Sequence, residues 1–198
     1  MRLILASQSA SRRAMLDAAG VPHDAIPAYV DEEATKIALR AEGAPPRAIA
    51  DALAELKALK IARSVPGALV LGSDSLVAFE DGTMLDKPES RDQAAEHLRL
   101  MSGKRHDLIS AAVIAENGRP VWRVVDRAKM FVRPLSEAFI EQYLDAEWPA
   151  IAGCVGCFRI EGLGVQLFSR VEGSHFTVLG MPLLPVLDYL RVREVLPS

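Results

Sequence analysis

The chain reads as an α/β protein on three observations. Leu3 to Ala6 form a short apolar run of β character that passes directly into helically spaced Ala14, Met15, Leu16, Ala18 and Ala19. Ala68 to Leu71 form a continuous apolar run of the kind shown by a strand covered on both faces. Between such runs lie helical stripes, clearest from Arg47 to Arg63, where Ile49, Ala50, Leu53, Leu56, Leu59 and Ile61 share one side.

At 198 residues the chain is long enough for one sizeable core, and a single compact unit over residues 1–198 is expected. Its 23 basic and 26 acidic residues leave a formal charge of −3, which argues against disorder and against a surface that coats nucleic acid. No apolar stretch reaches transmembrane length and no signal peptide precedes the first strand, so a soluble cytoplasmic protein with no membrane partner is expected. Cys154 and Cys157 have no second pair or histidine pair to complete a zinc site. They lie in a glycine-rich stretch, without the strand-to-helix context of a redox pair, and read as packing residues.

The first strand-to-helix turn organises the rest. It carries Ser7, Ser9 and Ser11, followed at once by Arg12 and Arg13. A helix N-terminus presents unpaired N–H groups and the positive end of the helix dipole, so arginines in its first turn are unfavourable for the helix alone. The turn has two readings: a serine cap with two solvated arginines, or a cradle for a di- or triphosphate in which guanidinium forks and hydroxyls meet the phosphate oxygens.

Gly20-Val21-Pro22 should stop the first helix, and a short extended piece, residues 23–28, then leads to Asp31-Glu32-Glu33. These three acids either favour the start of a helix or make Glu32 a magnesium-side carboxylate. Pro46 is placed to open the next helix, in which Lys57 borders the apolar stripe. Pattern alone gives Lys57 no active role.

After Leu71 comes Gly72-Ser73-Asp74-Ser75, then strand-like Leu76 to Phe79. Asp74 is expected to interrupt the strand, beyond the carboxyl end of its first part. A charge inside a β run is expensive unless it lines a cleft. Glu80 to Thr83 form a turn, and Pro88 holds Lys87 at a strand-to-helix corner before a helix over residues 90–100. Asn117-Gly118 joins two long strand-like runs, residues 107–115 and 121–132. Ser136 caps a helix to about Asp145, residues 148–164 are irregular and glycine-rich, a strand is expected from Val165 to Val171, and a closing helix from Pro182 to Val195.

With these residues assembled, the chain resembles the Maf family of house-cleaning nucleoside triphosphate pyrophosphatases along nearly its whole length. The matching stretches are Ser7 to Arg13, Val30-Asp31-Glu32, Lys57, Gly72-Ser73-Asp74, Asp86-Lys87-Pro88, and Arg159-Ile160-Glu161-Gly162-Leu163-Gly164 before Glu172-Gly173. The resemblance implies an α/β fold with a mixed central sheet flanked by helices and an active-site cleft, like that of inosine triphosphatase. It implies hydrolysis between the α- and β-phosphates of a nucleotide with a divalent metal, Mg2+ or Mn2+, and is compatible with a homodimer.

Carried over by position, Asp74 matches the catalytic aspartate and shares the metal with Glu32. Ser9, Arg12, Lys57 and Lys87 match phosphate-contacting residues, joined in the first turn by Ser7 and Arg13. Gly72-Ser73-Asp74-Ser75 and Glu161 look like the branch acting on 7-methyl-GTP, where pyrimidine-specific members carry Thr-Asp-Thr and a glutamine. A carboxylate accepts two hydrogen bonds from a guanine edge and complements an N7-methylated cationic ring, so Glu161, with Arg159 beside it, is the base-recognition position. Ala10 departs from the family's usual proline, and Ser11 occupies a variable position where other members place arginine or tryptophan. Two rivals are a Maf enzyme of pyrimidine or broad specificity and a non-enzymatic nucleotide-binding regulator of cell division.

Overall fold

The computed structural model describes residues 2–197. Strand β1 (Leu3–Leu5) leads into helix α1 (Ala10–Ala18), whose N-cap Ser9 accepts from the Arg12 amide, and Gly20 at φ +65° turns the chain out of it. After β2 (Asp24–Ala25), Asp31 caps α2 (Glu32–Ala41) by accepting from the Ala34 amide at 2.9 Å. Helix α3 (Pro46–Ala62) begins on a proline, which has no N–H to leave unpaired there.

Then come β3 (Leu69–Ala78), β4 (Met84–Leu85), and α4 (Arg91–Met101), capped by Ser90. Strands β5 (Arg105–Glu116) and β6 (Arg119–Val132) are joined by Asn117 at φ +50° and Gly118 at φ +74°, the two positive dihedrals of a tight hairpin turn. Helix α5 (Glu137–Glu147) is capped by Ser136. A 3₁₀ turn (Leu163–Leu167), β7 (Phe168–Glu172), α6 (His175–Val178) and α7 (Leu183–Val192) complete the chain.

The strands form one mixed seven-stranded sheet of order β2-β1-β3-β5-β6-β7, with β4 also pairing β3. Strand β1 runs parallel to both β2 and β3, whereas β3/β4 and β6/β7 are antiparallel. Among the described residues no helix is long and apolar enough to cross a membrane.

The chain divides into two compact units, one of Met1–Ser75, Ile109–Asp126 and His175–Ser198, the other of Leu76–Leu108 and Arg127–Ser174. In unit one, Leu3 and Leu5 of β1 and Leu69 and Leu71 of β3 pack with Met15 and Leu16 of α1 and with Leu183, Val186 and Leu190 of α7. These strand positions are odd-numbered and therefore share one face. On the even face, Gly72 meets α3 so closely that a Cβ there would lie 2.1 Å from the Ala54 carbonyl oxygen and 2.6 Å from the Ala58 nitrogen. Only glycine allows that approach.

In unit two, α4 and α5 are tied by Arg91, which donates to Glu141 and Asp145, and by Arg99, which donates to Glu137. The Tyr143 hydroxyl donates to the Cys157 carbonyl at 2.9 Å. Cys157 is fully buried and Cys154 partly so, and both thiols are free. His106 is completely buried between the edges of Phe79 and Phe168.

Three expectations need correcting. Strand β3 is not interrupted: it runs unbroken through Asp74, because Lys57 of α3 supplies a cation 2.6 Å from the carboxylate. The strand expected from Val165 begins only at Phe168, after the 3₁₀ turn. Val165 and Leu167 alternate like strand residues, yet the first is 54% exposed and the second fully buried. The backbone there is bent over Arg159, whose carbonyl oxygen would be 2.5 Å from a Cβ at Gly164. The closing helix is shorter than expected and is preceded by α6, a single turn too short for its period to register.

Burial holds the His106 imidazole neutral, pushing its pKa down to about 4 from 6.5. The folded chain therefore refuses a proton that the unfolded chain takes up. The stability contribution is intact above pH 6.5 and is lost as the pH falls toward 4, by about 3 kcal/mol at most. Urea titration at pH 7 and pH 4.5 should show a larger loss in the wild type than in His106→Leu. Equal losses would contradict this assignment.

Candidate active site

Unit one gathers most of the sequence-predicted phosphate residues at the end of β1. Ser7 is buried in the loop, where its hydroxyl accepts from the Ser9 amide at 3.2 Å and from Arg12 Nη1 at 3.4 Å. Ser9 caps α1 and exchanges a hydroxyl hydrogen bond with Ser11 at 3.0 Å. Arg12 turns inward: only 8% exposed, it donates from Nε to the Gly180 carbonyl at 2.8 Å and from Nη2 to the Ser75 hydroxyl at 3.0 Å. Burial lowers its pKa, partly offset by the negative charges of Asp74 and Glu32. An arginine remains charged under such a shift. Arg13 is exposed and does not join this network.

The centre of the unit-one site is a buried ammonium. Lys57 of α3 places Nζ 2.6 Å from Asp74 Oδ1 and 2.8 Å from Glu32 Oε1. The Lys57 and Asp74 side chains are 9% and 8% exposed. Their placement follows from local structure. Gly72 and Asp74 are two apart on β3 and face the same side, so the glycine that lets α3 approach also brings Lys57 onto the carboxylate. Glu32 is the first residue of α2, where a carboxylate also favours the helix dipole.

Unit two holds the remaining candidates. Lys87 is exposed after β4, and Glu161 is exposed in the glycine-rich stretch. Arg159 donates from Nε and Nη2 to Glu147 Oε2 at 2.9 and 2.8 Å, a pairing that raises the arginine's pKa. These groups share one electrostatic neighbourhood at Cys154. Burial chiefly raises that thiol's pKa, Glu161 and Glu147 raise it further, and Arg159 and Lys87 pull it down.

Two residues in these networks were not singled out from the sequence: Gly180, whose carbonyl holds Arg12, and the buried Glu147, which holds Arg159. Ser75 was read only as part of the stretch around Asp74, and the structure adds its bond to Arg12. Glu147 closes the amphipathic helix α5 and has no local signature. Gly180 could be flagged only as a glycine after a helical turn.

Among the described residues no group of three or more His, Cys, Asp or Glu is arranged to hold an ion. The donor set at Lys57 is instead two carboxylates. Those oxygens suit a hard divalent cation that takes its other ligands from water and phosphate.

Removing the ammonium takes away the cation that Asp74 and Glu32 both contact, at 2.6 and 2.8 Å, and leaves the buried Asp74 carboxylate without its direct ion-pair partner. Lys57→Met should therefore lower stability by about 3 kcal/mol in denaturant titration. Adding Asp74→Asn to that variant should restore part of the loss. An unchanged midpoint in Lys57→Met would show that this cation does not hold the carboxylates.

The family profile described as "Maf-like protein" matches residues 2–193. The chain is 55% identical, over the full length of both, to a protein of Sphingopyxis alaskensis named nucleoside triphosphate pyrophosphatase. It is 51% identical to nucleoside triphosphate pyrophosphatase 1 of Jannaschia sp., covering 97% of this chain and 96% of that protein. Among solved structures it is similar to a HAM1 protein from Coxiella burnetii, with a TM-score of 0.46 and 14% identity over 67% of this chain and 73% of that one. With the profile spanning both units, and with relatives matched end to end, the chain belongs to the Maf family.

Proposed function

We propose that residues 1–198 act as one nucleoside triphosphate pyrophosphatase domain, cleaving between the α- and β-phosphates to release a nucleoside monophosphate and pyrophosphate, with 7-methyl-GTP as the substrate. The observation that carries the reaction is the in-strand carboxylate of Asp74, buried against Lys57 and within the electrostatic reach of Arg12. Such a charge, held on a rigid strand by a helix-borne cation, is positioned for chemistry on a phosphate anhydride. The relatives' names carry the same activity.

In this reading Asp74 orients a water and takes its proton as the water attacks the α-phosphorus. Arg12 and Lys57 balance the charge that grows on the departing pyrophosphate, together with Lys87 and Arg13. Ser7 and Ser9 bring the hydroxyls and amides of the α1 N-terminus to the phosphate oxygens. Mg2+ or Mn2+ held by Asp74 and Glu32 would supply further charge neutralisation on those oxygens. The serines have no adjacent base, which favours direct attack by water over a covalent intermediate.

Glu161 is assigned to the base. Its carboxylate accepts from the N1–H and exocyclic amine of guanine and offsets the charge of an N7-methylated ring, while Arg159 is anchored on Glu147. Glutamine at position 161 would offer one donor and one acceptor, the complement of a pyrimidine imide.

Pyrophosphate release from a panel of triphosphates, with and without Mg2+, tests the activity. The wild type should turn over 7-methyl-GTP fastest, and Asp74→Asn should be slower by about a thousandfold while remaining folded. Binding without release would favour a nucleotide-binding regulator, and full activity in Asp74→Asn would remove the proposed base. Glu161→Gln should shift the preference toward UTP by about tenfold. An unchanged ratio would show that Glu161 does not read the base.

A further inference from the structure

The five N–H bonds of an arginine can be counted against their acceptors. In Arg12, Nε donates to the Gly180 carbonyl at 2.8 Å, Nη2 to Ser75 Oγ at 3.0 Å and Nη1 to Ser7 Oγ at 3.4 Å. That leaves one N–H on each terminal nitrogen. A phosphate takes such a pair as a bidentate fork.

The acceptors that use up the other donors are themselves fixed. Ser110 Oγ donates to the Thr177 carbonyl at 2.8 Å, so the Ser75 hydroxyl has its one proton for Ser110 Oγ at 2.8 Å or the Gly180 carbonyl at 3.1 Å, and either way its lone pairs are left for Arg12. The Ser75 oxygen is thereby oriented toward Arg12. At the far end the Thr177 hydroxyl donates to Asp126. Ser11 Oγ, on α1 itself, donates to the Leu179 carbonyl at 3.1 Å, tying the same segment to the turn that carries Arg12. Gly180 directs its carbonyl from φ +108°, a conformation closed to most side chains. A Cβ there would still make ordinary contacts of 3.4 Å or more, so what the glycine supplies is backbone direction.

We infer that Ser75 and the Gly180 carbonyl are positioning groups that hold the Arg12 guanidinium with one fork turned to the substrate triphosphate. The inference rests on the assignment of Arg12 to the phosphates. Ser75 acts through Arg12 and touches no substrate. A lysine at position 12 has no fork to hold, so Ser75 loses its role in an Arg12→Lys chain.

The test is a double-mutant cycle on kcat/KM for 7-methyl-GTP, or for the best substrate in the triphosphate panel, with thermal melts alongside. Arg12→Lys should lose about 100-fold and Ser75→Ala about 30-fold, the double variant falling no more than about twofold below Arg12→Lys. Ser75→Thr keeps the hydroxyl and should recover activity to within about threefold of wild type. If Ser75→Ala costs the same factor in both backgrounds, Ser75 acts through something other than Arg12 and the inference is overturned. Wild-type kcat/KM in Ser75→Ala also overturns it. Wild-type kcat/KM in Arg12→Lys instead removes the phosphate assignment itself, and this inference falls with it.

Discussion

One buried ammonium sets the terms for unit one. Lys57 comes from a helix, Asp74 from the middle of a strand and Glu32 from the start of another helix, and the two carboxylates meet on the same nitrogen. Burying any of these charges alone would cost several kcal/mol. Together they are tolerated, and the cost of desolvation becomes a constraint on backbone placement. Helix α3 must lie close to β3, and Gly72 is the residue that permits it.

The alternation of a strand then separates two tasks. The even positions of β3 carry Gly72 and Asp74 toward α3, while the odd positions carry Ser73 and Ser75 toward the segment between α6 and α7. Arg12 bonds to the odd-face network and still feels the Asp74 charge. A one-residue slip in the register of β3 would exchange the two faces and undo both. Stability and the proposed chemistry therefore depend on the same pairing of β1 with β3, Leu3 opposite Leu69 and Leu5 opposite Leu71.

Much of this was legible in the residues. The caps Ser9, Asp31, Ser90 and Ser136 announce their helices, and Asn117-Gly118 announces its hairpin. The cluster at Asp74 was partly legible: a carboxylate in an apolar run signals a cost that something must offset. What offsets it is Lys57, 17 residues away in sequence, which no local pattern connects to it. The continuity of β3 was missed for that reason, since the partner that lets a charge stay in a strand is tertiary. The Gly180 carbonyl was invisible too, because a backbone acceptor has no sequence signature beyond a glycine. In unit two, the alternation of Val165 and Leu167 imitated a strand where the bend at Gly164 dictates a 3₁₀ turn.

The most direct test of the account is a crystal structure with a non-hydrolysable α,β-methylene triphosphate and Mg2+. Phosphate oxygens should be bonded to Lys57 Nζ and to the outer fork of Arg12, with the Asp74 carboxylate beside the α-phosphorus. A triphosphate seated out of reach of all three side chains, with Lys57 still closed on Asp74 and Glu32, would contradict it.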